Sequence, residues 1–153
     1  AKARGETLHD RLALLYRQHG LHRTRQRSIR MTGDAGAARI ASLTRELRAM
    51  PPAAIAGSEV VRIRDVLAGT DTDLRTGRVG PVALPESDVL ALHLADGSRV
   101  LVRPSGTEPK IKLYFEVVLP LPEGQSLAAV QAQADARIDA LDADLRSHMG
   151  MDA

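Results

Sequence analysis

Apolar residues recur along the 153-residue chain with two periods, and the switches between them lay out its elements. In "ETLHDRLALLYRQHG", Leu8, Leu12, Leu15 and Tyr16 fall at helical spacing, Thr7 and Asp10 form a variant capping box, and Gly20 supplies the stop. "LHRTRQRSIR" follows as a basic connector or short strand. A second helix is predicted from about Thr32 or Asp34 to Met50, where Ile40, Leu43, Leu47 and Met50 make one stripe and Pro51-Pro52 end it. Past "PPAAIAGSE" the period changes to two: Val61 and Ile63 alternate with Arg62 and Arg64, the pattern of a half-buried strand. "AGTDTDLRTGRVGPVALPES", rich in Gly, Thr, Asp and Pro, predicts an exposed loop. Strands over Asp88–Ala95 and Arg99–Arg103 flank "ADGS", whose Asp96-Gly97 marks a hairpin. Lys110–Leu119 predicts another strand, with Ile111, Leu113, Phe115, Val117 and Leu119 on one face, closed by Pro120 and Pro122. From Ser126 to about His148 a long helix turns Leu127, Val130, Ala134, Ile138, Leu141 and Leu145 inward and Asp135, Asp139, Asp142 and Asp144 largely outward. The order predicts an α+β fold: a small antiparallel sheet of about four strands with helices packed on one face.

Composition narrows the class. A chain 44% hydrophobic and 26% charged is of the globular type, and no apolar run reaches membrane-spanning length. The absence of cysteine removes disulfides, thiolate metal ligands and a thiol nucleophile, and suits a reducing, cytoplasmic location. Ala1–Arg4 hold neither an initiator Met nor a secretory signal, which predicts a chain that begins partway through a longer protein. Charge is uneven: residues 1–50 carry 11 Lys/Arg against 4 Asp/Glu, and residues 51–153 carry 10 against 15.

The candidate chemistry lies in "LVRPSGTEPKIKLYFEV". Arg103 can fork two donors onto a phosphate, Ser105 and Thr107 add hydroxyls, and Gly106 lets the backbone approach and can adopt a φ that other residues avoid. Pro104 and Pro109 restrict both ends, so the loop is shaped before a ligand arrives. On local chemistry alone, a tight strand connection with an incidental arginine explains the segment equally well.

"RPSGTEPKIKLYFEV" closely resembles the signature loop of the C-terminal domain of the α-D-phosphohexomutases, the phosphoglucomutase and phosphomannomutase superfamily. The resemblance extends through "LPESDVLALHLADGSRVLV", similar to the strand pair before that loop, and back to "GETLHDRLALLYRQHG", similar to the last helix of the preceding domain. It implies a boundary in which residues 1–30 end the preceding domain and connect it to a phosphate-binding C-terminal domain at 31–153. It further implies that Arg103, Ser105, Gly106 and Thr107 hold the substrate phosphate that is not being transferred, with Lys110 adding charge nearby. The function implied is a share in interconverting 1- and 6-phosphosugars, glucose or mannose. For the full-length enzyme the resemblance implies Mg²⁺ and a hexose 1,6-bisphosphate activator, neither expected on this portion. The implied partners are the phosphorylated hexose and the remaining N-terminal domains. No "SHNP"-like serine loop, "DGDADR"-like metal loop or "GEESG"-like sugar-reading loop occurs in the chain, so on its own it is expected to be inactive.

Two other functions compete: a module that senses a phosphorylated ligand without chemistry, and a nucleic-acid-binding domain led by "HRTRQRSIR", four arginines and His22 within nine residues. The second is the weaker, because single-strand binders add stacking aromatics and this chain has only Tyr16, Tyr114 and Phe115. A solvated linker, or a positive rim that steers sugar phosphates, accounts better for the run. Asp71–Asp73 reads as an acidic surface loop rather than a cation site, lacking further carboxylates at loop spacing. His19 and His22 have no third ligand nearby, Glu108 is expected to organise backbone or pair with a lysine, and Ser105 has no histidine base beside it.

Overall fold

The computed structural model describes residues 7–151. Helix α1 (Leu8–His19) opens on the capping box: the Asp10 N–H donates to Thr7 Oγ1 at 3.1 Å and the Thr7 N–H to Asp10 Oδ2 at 2.8 Å. Gly20, at φ +85°, then turns the chain into β1 (Leu21–Arg30). After α2 (Gly33–Ala49) come seven strands: β2 (Ala54–Ile55), β3 (Ser58–Asp65), β4 (Thr70–Asp73), β5 (Val79–Pro81), β6 (Leu90–Leu94), β7 (Arg99–Pro104) and β8 (Lys110–Leu119). Helix α3 (Leu127–His148), capped by Ser126, ends the fold.

The α+β class stands, but the sheet has eight strands rather than about four. Its order is β1-β8-β7-β6-β3-β4-β5, all antiparallel, with β2 paired to β3 off this path. The additional strands have physical reasons for lacking an apolar signature. β4 and β5 lie at one edge, and Asp71 on β4 is fixed by Arg62 and Arg64 of β3, so charge pairing holds a segment whose composition reads as loop. At the other edge, β1 pairs with β8 over all ten residues, Leu21 opposite Leu119 through Arg30 opposite Lys110. Arg23, Arg25 and Arg27 stand across from Val117, Phe115 and Leu113, on the face that α3 covers.

That face carries the core. Ile111, Leu113, Phe115 and Val117 of β8, Val100 and Val102 of β7, and Leu92 of β6 pack with Ile40, Leu43 and Leu47 of α2 and with Val130, Ala134, Ile138, Leu141 and Leu145 of α3. Among the described residues no helix covers the opposite face, which presents the alternate residues of the same strands: Arg99, Leu101 and Arg103 of β7, Lys112, Tyr114 and Glu116 of β8. Three details depart from the periodic reading. Met50 is 70% exposed because it follows the last turn of α2 instead of continuing its stripe. A bulge between Val60 and Arg62 shifts β3, so Val60, not Val61, is buried. Asp142 is buried, taken by Arg27. Among the described residues no helix is long and apolar enough to cross a membrane.

Candidate functional site

β7 and β8 are adjacent antiparallel strands, and the segment joining them, Ser105–Pro109, projects from one end of the sheet. It closes on itself: the Ser105 N–H donates to the Lys110 carbonyl at 2.9 Å and the Lys110 N–H to the Glu108 carbonyl at 2.7 Å. The Pro109 carbonyl accepts from the Met31 N–H at 2.9 Å, which moors the loop to the start of α2. Gly36 permits this close start, since a Cβ there would lie 2.4 Å from the Met31 carbonyl oxygen.

Ser105, Gly106, Thr107 and Glu108 line a cavity of 520 Å³ whose far wall is α2, with Arg45 and Arg48 on it. The Arg48 guanidinium is engaged by Asp65 at 3.0 Å and by Asp88. Arg45 has only Ser42 Oγ at 3.4 Å and no carboxylate among the described residues. The Ser105 N–H is spent on the loop's own closure, whereas the N–H groups of Gly106 and Thr107 have no partner among the described residues. Gly106 does not adopt a left-handed φ; what it contributes is room, because a Cβ there would meet nothing within 4 Å.

Of the residues singled out in the sequence, the structure brings Ser105, Gly106 and Thr107 together around this cavity and sets Arg103 and Lys110 elsewhere. Strand alternation turns Arg103 onto the uncovered face, where it borders a second cavity of 570 Å³ with Leu101, Tyr114, Glu116 and Gln26. Lys110 is held by Glu108, whose carboxyl also lies 3.5 Å from Arg30; chiefly through Lys110, the Glu108 carboxyl is kept below the usual carboxylate range. Reading by residue type passed over Lys112. It stands directly opposite Arg103; among the described residues neither side chain forms a salt bridge, although Lys112 is near enough to the Glu108 carboxyl to help lower it. Two like charges face to face across a ladder destabilise a sheet, and the signal was present as a lysine two residues past Lys110, hence on Arg103's face.

Farther along the uncovered face the charges are balanced. Arg99 pairs with Glu116, and His22 lies 3.5 Å from the same carboxyl. Burial, with Arg99, Arg64 and Arg62 beside it, pushes the His93 imidazole below its ordinary value. On the covered face the basic strand is fully engaged: Arg23 pairs with Asp135 at 2.9 Å, Arg25 with Asp135 at 3.0 Å and with Asp139, and Arg27 with Asp142 at 2.8 Å. β1 is thus neither a solvated linker nor a free basic patch of the kind nucleic acid requires. Among the described residues no three His, Asp or Glu side chains gather as a metal ion's ligands. The groups that line the two cavities around the β7–β8 loop include guanidinium, hydroxyl and backbone N–H groups.

A family model described as "Phosphoglucomutase/phosphomannomutase, C-terminal domain" matches residues 43–140, from the later turns of α2 into α3. A phosphoglucomutase of Staphylococcus epidermidis is 34% identical over 116 residues, 76% of this chain and 21% of that protein. The phosphoglucomutase of Staphylococcus aureus strain MRSA252 is 35% identical over 119 residues, 78% of this chain and 21% of that protein. The chain thus spans about a fifth of the length of the curated relatives it matches. The crystal structure of pp63/parafusin, a phosphoglucomutase from Paramecium, in its open form, covers 95% of this chain and 24% of its own with a TM-score of 0.53 at 18% identity, a likeness of fold. A match that runs through the β7–β8 loop and most of the sheet, with relatives a third identical across the same span, settles its kinship: the chain belongs to the phosphoglucomutase/phosphomannomutase C-terminal domain family.

Proposed function

We propose that this chain is the C-terminal portion of a phosphohexomutase that interconverts 1- and 6-phosphosugars, with glucose or mannose as the hexose, and that its β7–β8 loop anchors the phosphate that is not being transferred. The observation that carries this reading is the couple Arg103 and Lys112, directly opposed and without a salt bridge among the described residues, at the root of a loop whose Gly106 and Thr107 N–H groups have no partner among those residues. Cations in that arrangement repel each other until an anion lies between them. A phosphate dianion relieves the repulsion and takes a forked pair of bonds from the Arg103 guanidinium; in this reading the hydroxyls and N–H groups at Ser105–Thr107, which line the neighbouring cavity against α2, must turn toward the loop's root to join it. Each charge-assisted bond of this kind contributes roughly 1.5–3 kcal/mol.

The binding energy spent at this end orients the reacting end of the sugar. Because a phosphohexomutase must hold either phosphate of a bisphosphorylated sugar in turn, an anchor that reads phosphate rather than sugar suits the reaction. The nucleophile and metal loops are absent from this sequence, so the transfer itself falls to the rest of the enzyme, and this portion alone is expected to be inactive.

In the full-length enzyme, Arg103→Ala and Lys112→Ala should each lower kcat/KM by about tenfold or more, the kinetic equivalent of one lost charge-assisted bond. Circular dichroism and the unfolding midpoint should stay at wild-type values. Unchanged steady-state kinetics in both variants would rule the anchor out.

A further inference from the structure

The sheet has two edges, and they differ. At one, β5 is three residues long and ends on Pro81, two features that keep an edge from recruiting another strand. At the other, β1 runs ten residues without a proline or a break in register, bonded to β8 on one side alone. Among the described residues no backbone N–H or C=O of β1 has a partner on the side away from β8. Charge commonly protects such an edge, and here it is cancelled: Arg23, Arg25 and Arg27 are paired with Asp135, Asp139 and Asp142 of the same chain. The face turned away from α3 carries Thr24, Gln26 and Ser28, exposed and uncharged.

We propose that the free edge of β1 pairs antiparallel with β1 of a second copy of this chain, about a two-fold axis at Gln26, so that the two sheets become one. The register follows from the side chains. Residues opposed in an antiparallel pair share a face, so a symmetric pairing sets one residue against its own copy. An axis at Arg25 would oppose Arg25 to Arg25 and Arg23 to Arg27, setting each of these arginines against another. With the axis at Gln26, Arg23 meets Ile29, and only Arg25 and Arg27 stand opposite each other, both already held by aspartates. On the other face Gln26 meets Gln26 and Thr24 meets Ser28, polar pairs that hydrogen-bond across a ladder. His22 falls opposite Arg30, each beside a carboxyl of its own chain, Glu116 and Glu108. The arginine–aspartate array gives a charged peptide no advantage because it is neutral, whereas the sequence of β1 satisfies this register by itself. Such a contact uses the same patch on both copies and closes as a dimer. It holds whether or not the β7–β8 loop anchors phosphate.

The test is analytical ultracentrifugation of the 153-residue chain, which should show a dimer whose fraction rises with protein concentration. The double variant Thr24→Lys/Ser28→Lys sets lysine against lysine twice and should raise the dissociation constant about tenfold. Thr24→Lys/Ser28→Glu sets lysine against glutamate twice and should restore association to at least the wild-type level. All these positions are exposed, and circular dichroism should report the same fold throughout. The chain has no cysteine, so Gln26→Cys should give a disulfide-linked dimer under mild oxidation. Thr24→Cys should not, because four residues of strand, about 13 Å, separate Thr24 from the place opposite its own copy. A monomer at every concentration, a dimer indifferent to the charge variants, or equal cross-linking at positions 24 and 26 would overturn the proposal.

Discussion

At Asp71 two guanidinium groups converge on one carboxylate: Arg62 donates to both oxygens at 2.6 Å, and Arg64 donates twice to Oδ2 at 2.8 and 2.9 Å. The hydrogen bonds from Arg62 lead in lowering the carboxyl, followed on the favourable side by those from Arg64, from an ordinary 3.8 to about 2. A carboxyl whose folded value is depressed stabilises the fold above its unfolded value, and that stability is lost as pH falls through the folded one. Asp71→Asn should therefore flatten the dependence of the denaturant midpoint on pH between about 4 and 2. With both arginines partly exposed, the loss at neutral pH should be only about 1 kcal/mol. A variant with the wild-type acid limb would show that the Arg62–Asp71–Arg64 cluster does not persist in solution. Arg103 and Lys112 illustrate the converse: among the described residues neither forms a salt bridge at the place where a ligand is proposed.

The elements that sequence patterns found are those with an apolar face. α2, α3, β6, β7 and β8 lie within a few residues of their expected bounds because each contributes a stripe to one core. The β2–β3 hairpin turns on Ala56 and Gly57, both at positive φ, with the Ala56 N–H on Asp144 at 2.6 Å and its carbonyl on Arg137 at 2.6 Å. A left-handed alanine costs roughly 1–2 kcal/mol, of which glycine's greater freedom in the unfolded chain cancels part. Ala56→Gly should then stabilise the protein by about 0.5 kcal/mol, seen as a higher denaturant midpoint at unchanged slope; a lower midpoint would contradict a left-handed turn. β1 and α3 show why other parts stayed hidden. Arginines at 23, 25 and 27 of β1 and aspartates at 135, 139 and 142 of α3 each carry the correct period. Their meaning is the pairing of the two patterns across more than a hundred residues, which neither segment displays by itself. The site divides likewise. The loop's residue types were legible, but the separation of Arg103 from Ser105–Thr107, and the place of Lys112, follow from strand parity and register.

For the molecule as a whole, the distribution of buried surface predicts unequal local stability. One apolar core joins the sheet to α2 and α3, so these should open together, at the free energy of global unfolding. α1 buries none of its residues and lends the core only the edge of Tyr16, while Leu8, Leu12, Leu14 and Leu15 stay exposed. Its capping box and Gly20 stop favour the helical form, yet a twelve-residue helix without tertiary burial is marginal in water. In native-state hydrogen exchange of the 153-residue chain, amides of α1 should therefore exchange at least a hundredfold faster than those of Val100, Val102, Leu113 and Phe115, and should be insensitive to low denaturant. The loop at Ser105–Pro109 should stand between, because Ser105 is closed onto Lys110 and Pro109 onto Met31 by backbone bonds at the sheet's end. Added glucose 1-phosphate should slow the amides of Gly106 and Thr107 and leave α1 unchanged. Protection of α1 equal to that of β7 and β8 would mean that its leucines are covered in solution, which the arrangement of this fold does not provide.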